Sequence, residues 1–77
     1  MKIQQTKYNY RGQTVWGPAG ISWITIDENG FLFGHYDDNV TTCDLGAWIS
    51  GPSMTELLGN ATGFGNWKNS LEYVGGQ

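Results

Sequence analysis

Two apolar runs separated by a turn signal dominate the hydropathy pattern of the chain, across residues 21–36. The runs flank Asp-Glu-Asn-Gly at residues 27–30, and an Asn-Gly pair in this setting is a strong hairpin signal. Two loops fit the pattern. One is a two-residue type I′ turn at 29–30, and the other is a three-residue loop at 28–30 with Gly30 in the left-handed region. We favour the three-residue loop.

The three-residue loop fixes the register of this hairpin, because it places Ile26 opposite Leu32 and Thr25 opposite Phe33. A slip of one residue would exchange every side chain of one strand between the two faces. In the favoured register one face carries Ile24, Ile26 and Leu32, and the other carries Trp23, Phe31, Phe33 and His35. Both faces are apolar, so we expect the chain to cover one of them and either more chain or a partner to cover the other.

Other segments predict further strands and short helical turns. Residues 2–11 alternate, with Tyr8 and Tyr10 on one side and charged or polar residues on the other, and Gly12 predicts a turn. The predicted strands are 2–11, 14–16, 21–27, 31–36 and 45–49.

Helical turns are predicted near the C-terminus. Ser53 and Glu56 match a capping box, with Gly59 as the C-terminal stop. Residues 66–75 fit either a last helical turn, with Asn66 as its cap, or a closing strand. The predicted fold class is therefore α+β. It is a single domain, 1–77, with a small antiparallel β-meander of four to five strands and one or two short C-terminal helical turns.

Composition narrows the ways in which this fold can be stabilised. The 77 residues include one cysteine, one histidine and eleven aromatic residues. A chain of this size has a thin margin of stability, and small domains often add disulfides or a metal. Cys43 and His35 cannot supply either, so aromatic burial or self-association must contribute.

Charge is distributed unevenly. Three of the four bases lie in the first eleven residues, whereas six acids and no base lie between Gly12 and Trp67. Such a surface repels a phosphate backbone, which argues against direct nucleic-acid binding. It favours docking on a basic patch of another protein, although acids also keep small domains in solution.

Candidate chemistry is sparse. His35, Cys43 and Asp44 together suggest an imidazole-activated thiol, but no local signature surrounds the cysteine. The acidic turn at 27–30 is a poor calcium loop, and residues 63–68 lack the setting of a phosphate loop. We therefore expect no catalytic residue, no cofactor and no metal.

A protein-binding patch is the site that the residues favour. Aromatic groups on the second hairpin face, with acids around them, have the anatomy of an interface with an apolar centre and a polar rim. The predicted residues are Trp23, Asp27, Glu28, Phe31, Phe33, Asp37 and Asp38. The same face could instead close a homodimer.

Cellular location follows from the first residues and the cysteine content. The start of the chain lacks the apolar core of a signal peptide, and no apolar stretch approaches about 20 residues. One unpaired cysteine suits a reducing compartment. We expect a cytoplasmic protein that does not associate with membranes.

Two segments carry a resemblance to a group of proteins. The hairpin Trp23–Phe33, followed by Trp67-Lys68-Asn69-Ser70-Leu71, resembles small uncharacterised accessory proteins encoded by tailed phages and prophages. No catalytic residues carry over from these proteins, because none are established for the group. It implies an accessory protein that acts in the host cytoplasm.

The predicted function rests on this resemblance and on the acidic and aromatic residues of the chain. We expect a non-enzymatic phage or prophage protein that binds and inhibits a host protein with a basic patch, such as a defence or nucleic-acid-processing protein. A carbohydrate- or ligand-binding module that uses an exposed Trp is one alternative. A small structural phage component that oligomerises is another.

Overall fold

Eight antiparallel strands make up most of the part of the chain that the structure describes. The computed structural model describes residues 5–37, 40–43, 47–49, 55–60 and 66–75. The strands are β1 (Thr6–Tyr10), β2 (Gln13–Gly17), β3 (Trp23–Ile26), β4 (Phe31–His35), β5 (Thr41–Cys43), β6 (Ala47–Ile49), β7 (Thr55–Asn60) and β8 (Glu72–Tyr73). They form a β1–β2 hairpin, a β5–β6 hairpin and a central sheet with the order β7-β4-β3-β8.

The β3–β4 hairpin has the predicted three-residue loop and the predicted register. Ile26 pairs with Leu32 and Thr25 pairs with Phe33. Gly30 has φ 89°, in the left-handed region that a residue without a Cβ adopts at little cost. Its N–H donates to the Asp27 carbonyl at 3.1 Å, which closes the turn.

The Asp27 side chain stabilises this turn further. Its Oδ1 accepts hydrogen bonds from the backbone N–H of Asn29 at 2.9 Å and of Phe31 at 3.0 Å. A carboxylate that bonds the backbone two residues on is a common turn-forming arrangement. The residue that marks the turn in the sequence thus also fixes its geometry.

The inner face of the central sheet packs against the β1–β2 hairpin. Ile21, in the loop between β2 and β3, also packs closely on this face, where Gly34 of β4 leaves room for it: a Cβ at Gly34 would lie 2.6 Å from Ile21 Cδ1. The buried core consists of Tyr8, Tyr10, Val15, Ile21, Ile24, Ile26 and Val74, with Leu32, Tyr36 and Leu58 packed against it.

The β1–β2 hairpin confirms the predicted alternation. Tyr8 and Tyr10 are each 4% exposed, whereas Lys7 and Asn9 are exposed. The hydroxyl of Tyr8 donates to the Pro18 carbonyl and accepts from the N–H of Ile21 at 3.2 Å. These two hydrogen bonds hold the loop between β2 and β3 against strand β1.

Ser70 continues the hydrogen bonding of β3 where strand β8 ends. β8 pairs with only two residues of β3, Trp23 and Ile24. At Ile26 the Ser70 hydroxyl takes the place of a strand partner, since it accepts from the Ile26 N–H at 2.8 Å. Its proton can go to the carbonyl of Trp67 at 2.6 Å or of Ile26 at 3.0 Å.

The prediction of a helix that starts at the capping box is wrong for the residues of this segment that the structure describes. Residues 55–60 form strand β7, which pairs along β4; Ser53 and Met54 lie outside the described residues. The local capping signal is outweighed because β4 offers an unpaired edge and residues 56–58 can alternate between the sheet's two faces.

Two further expectations need correction. The described strands number eight rather than four or five, since β5 and β7 were not predicted and a strand at β8 was one of two interpretations left open. One helical element is described, a 3₁₀ turn at Trp67–Asn69, and the predicted cap Asn66 accepts from the Lys68 N–H at 3.0 Å. Both interpretations of residues 66–75 hold, because strand β8 follows this turn.

Replacing Gly30 with alanine is expected to destabilise the protein by about 1 kcal/mol or more, because alanine is strained at φ 89°. Urea unfolding measures the change. Glu28→Ala is the control, because Glu28 is an exposed residue of the same turn. An unchanged unfolding midpoint for Gly30→Ala would contradict the turn assignment.

Replacing Ser70 with alanine is expected to cost about 1–3 kcal/mol of unfolding free energy, because the buried Ile26 N–H loses its acceptor. Ser22→Ala is the matched control, since the described bonds of Ser22 are made by its backbone. If the two variants are equally stable, the hydrogen bond from the Ile26 N–H to the Ser70 hydroxyl does not stabilise the fold.

Candidate functional site

The outer face of the central sheet carries the predicted aromatic residues together with two that were not predicted. Cross-strand partners point to the same face of a sheet. Because Phe33 pairs with Leu57 and Trp23 pairs with Tyr73, Leu57 and Tyr73 join this face. We call it the aromatic face, and its large side chains are Trp23, Phe31, Phe33, Leu57 and Tyr73.

The centre of the aromatic face is covered by the chain itself. Thr25 and His35 lie there by register and are both 0% exposed. His35 Nε2 is 2.8 Å from Thr25 Oγ1, so the imidazole has a polar partner in its enclosed position. Burial lowers the pKa of His35 from 6.5 to about 4, and the ring is therefore neutral at pH 7.

An apolar cluster remains exposed on the β4–β7 side of this face. Leu57 is 61% exposed, Phe31 is 40% exposed and their neighbour Phe33 is half-buried. Phe33 and Leu57 are cross-strand partners, and Phe31 is the next residue of β4 on the same face. We call these three residues the Phe–Leu cluster.

The half-buried Trp23 and the exposed Tyr73 form a second group, on the β3–β8 side. Their rings meet edge to face with centroids 5.0 Å apart, an arrangement that aromatic pairs favour. By register, Thr25 lies opposite Phe33 and His35 lies opposite Trp23, so Trp23 and Phe33 are diagonal neighbours on this face. The predicted Trp23, Phe31 and Phe33 therefore share one face, with Trp23 on its β3–β8 side and the two phenylalanines on its β4–β7 side.

The acids of the predicted rim differ in their burial. Asp27 is 8% exposed and its carboxylate is engaged in the turn. Glu28 is exposed at the tip of the hairpin, close in sequence to Phe31, and Asp37 is half-buried beyond the other end of β4. Asp38 lies outside the described residues.

Leu57 and Tyr73 are the residues of this face that sequence reasoning missed. The capping box directed Leu57 to a helix, and the sequence around Tyr73 allowed either a helix or a strand. A strand pattern over 55–58 would have placed Leu57 and Leu58 on opposite faces. That placement is observed: Leu57 is exposed, whereas Leu58 packs against the core.

The described residues offer few groups for catalysis or metal binding. No three His, Cys, Asp or Glu side chains in the described ranges are grouped so that they could hold a metal ion. Cys43 ends strand β5 and Asp44 lies outside the described residues, while the His35 ring is enclosed. Within the same ranges no helix has the length and apolar character needed to span a membrane.

The buried neutral His35 predicts a specific dependence of stability on pH. Between about pH 6.5 and 4 the unfolded chain binds a proton that the folded chain does not, so stability falls as the pH falls through this window. The full loss of unfolding free energy across this window is about 3 kcal/mol. Urea unfolding at pH 7 and pH 4 measures it.

His35→Gln is the comparison variant for this measurement, since glutamine keeps a polar group near Thr25 and does not titrate. Its unfolding free energy should fall less than that of the wild type across the same window. If both proteins lose the same unfolding free energy between pH 7 and pH 4, carboxylates rather than His35 govern the dependence of stability on acid.

Comparison of the chain with known proteins identified no similar protein. No protein-family model matches the chain, and neither a curated protein nor a solved structure matches it. The surface chemistry of the described residues, joined to the sequence resemblance stated above, is therefore the basis for a functional proposal.

Proposed function

We propose that this chain is a non-enzymatic accessory protein of phage or prophage type that binds a host protein through the Phe–Leu cluster and inhibits it. The proposal places the protein in the host cytoplasm. The expected partner presents an apolar pocket or groove beside a basic patch. A defence protein or a nucleic-acid-processing protein is the class of target that we expect.

Exposure of the Phe–Leu cluster is the observation that carries this proposal. Leu57 and Phe31 are 61% and 40% exposed on a sheet whose other face is packed. Covering a side chain of this kind contributes about 1.5–3 kcal/mol when it is fully buried. A few apolar side chains of this kind, clustered on paired strands, are typical of the energetic centre of an interface.

Charge around the cluster favours a basic partner. Glu28 is exposed at the hairpin tip, and the described bases lie elsewhere: Lys7 and Arg11 belong to the first hairpin and Lys68 to the 3₁₀ turn. Arg11 is also neutralised in part by Glu72, whose Oε1 is 4.0 Å from the Arg11 Nε. Acids at the rim would speed association and make it salt-sensitive.

A carbohydrate- or ligand-binding module is the alternative function, and Trp16 is the residue that favours it. Trp16 is 53% exposed, whereas Trp23, Trp48 and Trp67 are half-buried. It stands on the outer face of β2, on the layer opposite the aromatic face. An exposed indole on a strand is a surface on which a sugar ring or a base can stack.

The proposal predicts how binding responds to substitution in the Phe–Leu cluster. The wild-type protein at micromolar concentration captures partners from host lysate, mass spectrometry identifies the bound protein, and calorimetry with that purified protein measures affinity. Leu57→Asp and Phe31→Ser should each weaken binding about tenfold or more. Glu28→Lys should mainly slow association and reduce its dependence on salt.

Trp16→Ser is the matched control, since it removes an exposed aromatic side chain from the opposite layer. Binding of the host protein should survive this change. Capture of sugar polymers that depends on Trp16, or affinity indifferent to Leu57→Asp and Phe31→Ser, would contradict the proposal. Loss of the biological effect in a folded Cys43→Ser protein would instead favour a thiol enzyme.

A further inference from the structure

The outer face of the β1–β2 hairpin carries a second exposed surface that the proposed function does not use. Trp16 is 53% exposed there, and its cross-strand partner Lys7 is exposed beside it. Cross-strand partners lie about 5 Å apart at their Cβ atoms, so the indole and the ammonium group form one surface. We call these two residues the Trp–Lys pair.

The Trp–Lys pair and the Phe–Leu cluster lie on opposite sides of the molecule. The inner side of β1–β2 carries Tyr8 and Val15, which pack on the inner face of the central sheet. The outer side of β1–β2 therefore points away from the central sheet. The aromatic face points away from β1–β2, because it is the other face of that sheet.

These two surfaces complement each other in polarity and charge. The Trp–Lys pair offers a large exposed apolar ring next to a cation. The Phe–Leu cluster offers exposed apolar side chains, with the exposed carboxylate of Glu28 at the adjoining turn. The described acids other than Glu72 all belong to β7 or to the β3–β4 hairpin and its flanks, and Lys7 and Arg11 belong to the first hairpin.

We propose that the Trp–Lys pair of one copy of this chain docks on the Phe–Leu cluster of a second copy. Trp16 then covers Leu57 and Phe31, and the ammonium group of Lys7 approaches the carboxylate of Glu28. The partner in this contact is the chain itself, since a copy carries both the apolar ring and the cation that the cluster fits.

The contact is head to tail, because it joins two different surfaces. Each copy that docks through one surface leaves the other free on its opposite side. A heterologous contact of this kind generates an open chain of subunits or a ring, whereas a contact of one surface with itself stops at a dimer. Assembly should therefore proceed beyond the dimer as concentration rises.

Self-association and the proposed function compete for the Phe–Leu cluster. A copy docked on this cluster excludes a host protein from it. At low concentration the cluster is free for a host target, and at high concentration it is occupied by a second copy. The two activities can nevertheless be measured separately, since Trp16 takes part only in self-association.

Sedimentation velocity of the full chain from micromolar to millimolar concentration tests the proposal. The average mass of the wild type should rise beyond that of a dimer, and added salt should reduce it. Trp16→Glu and Leu57→Asp should each remain monomeric, because each lacks one of the two surfaces. Lys7→Glu should weaken association about fivefold.

Mixing the two monomeric variants gives the decisive measurement. The Leu57→Asp protein keeps its Trp–Lys pair and the Trp16→Glu protein keeps its Phe–Leu cluster, so an equal mixture should form heterodimers and nothing larger. Circular dichroism confirms that both variants are folded. If either variant is unfolded, the Lys7→Glu protein and the salt dependence of the wild type still decide the outcome.

Two results would overturn the inference. A wild-type protein that is monomeric at every concentration has no such contact, although its Phe–Leu cluster could still bind a host protein. A dimer that persists in Trp16→Glu and Lys7→Glu would show that one surface pairs with itself instead.

Discussion

Ser70 is the point at which three parts of the structure are joined. Its hydroxyl occupies the place of a strand partner beside Ile26, and it also reaches the carbonyl of Trp67 in the 3₁₀ turn. Its own carbonyl accepts the Tyr10 hydroxyl of the first hairpin. Because Ser70 is fully buried, none of these groups can turn to water instead, and the first hairpin, β3 and the C-terminal segment are held in one arrangement.

Among the residues that the structure describes, the aromatic face combines a buried centre with exposed apolar side chains. The β1–β2 hairpin packs on the inner face, and at the centre of the outer face Thr25 and His35 are fully buried. Apolar side chains toward the edges of the outer face, such as Leu57 and Tyr73, stay in contact with water. Covering exposed apolar groups with a partner lowers the free energy, and this is the physical basis of the proposed binding role.

The candidate site could be predicted from the sequence only in part. Register placed Trp23, Phe31 and Phe33 on one face, because side chains alternate strictly along a strand. The sequence could not show that the Asp27 carboxylate turns into its own loop, or that Thr25 and His35 would be fully buried at the centre of the face. Leu57 joined the face because of a long-range pairing with Phe33 that no local pattern contains.

The sequence by itself determined the β3–β4 hairpin, its loop and its register, and the alternation that buries Tyr8 and Tyr10. These features depend on turn chemistry and on a two-residue period, which act over a few neighbouring residues. Only the tertiary structure decided the state of residues 55–60, where the free edge of β4 outweighed a local capping signal. It also decided the role of Ser70, since its bonds to Ile26 and Tyr10 join residues far apart in the chain, and hydroxyl groups carry no sequence pattern that names their partners.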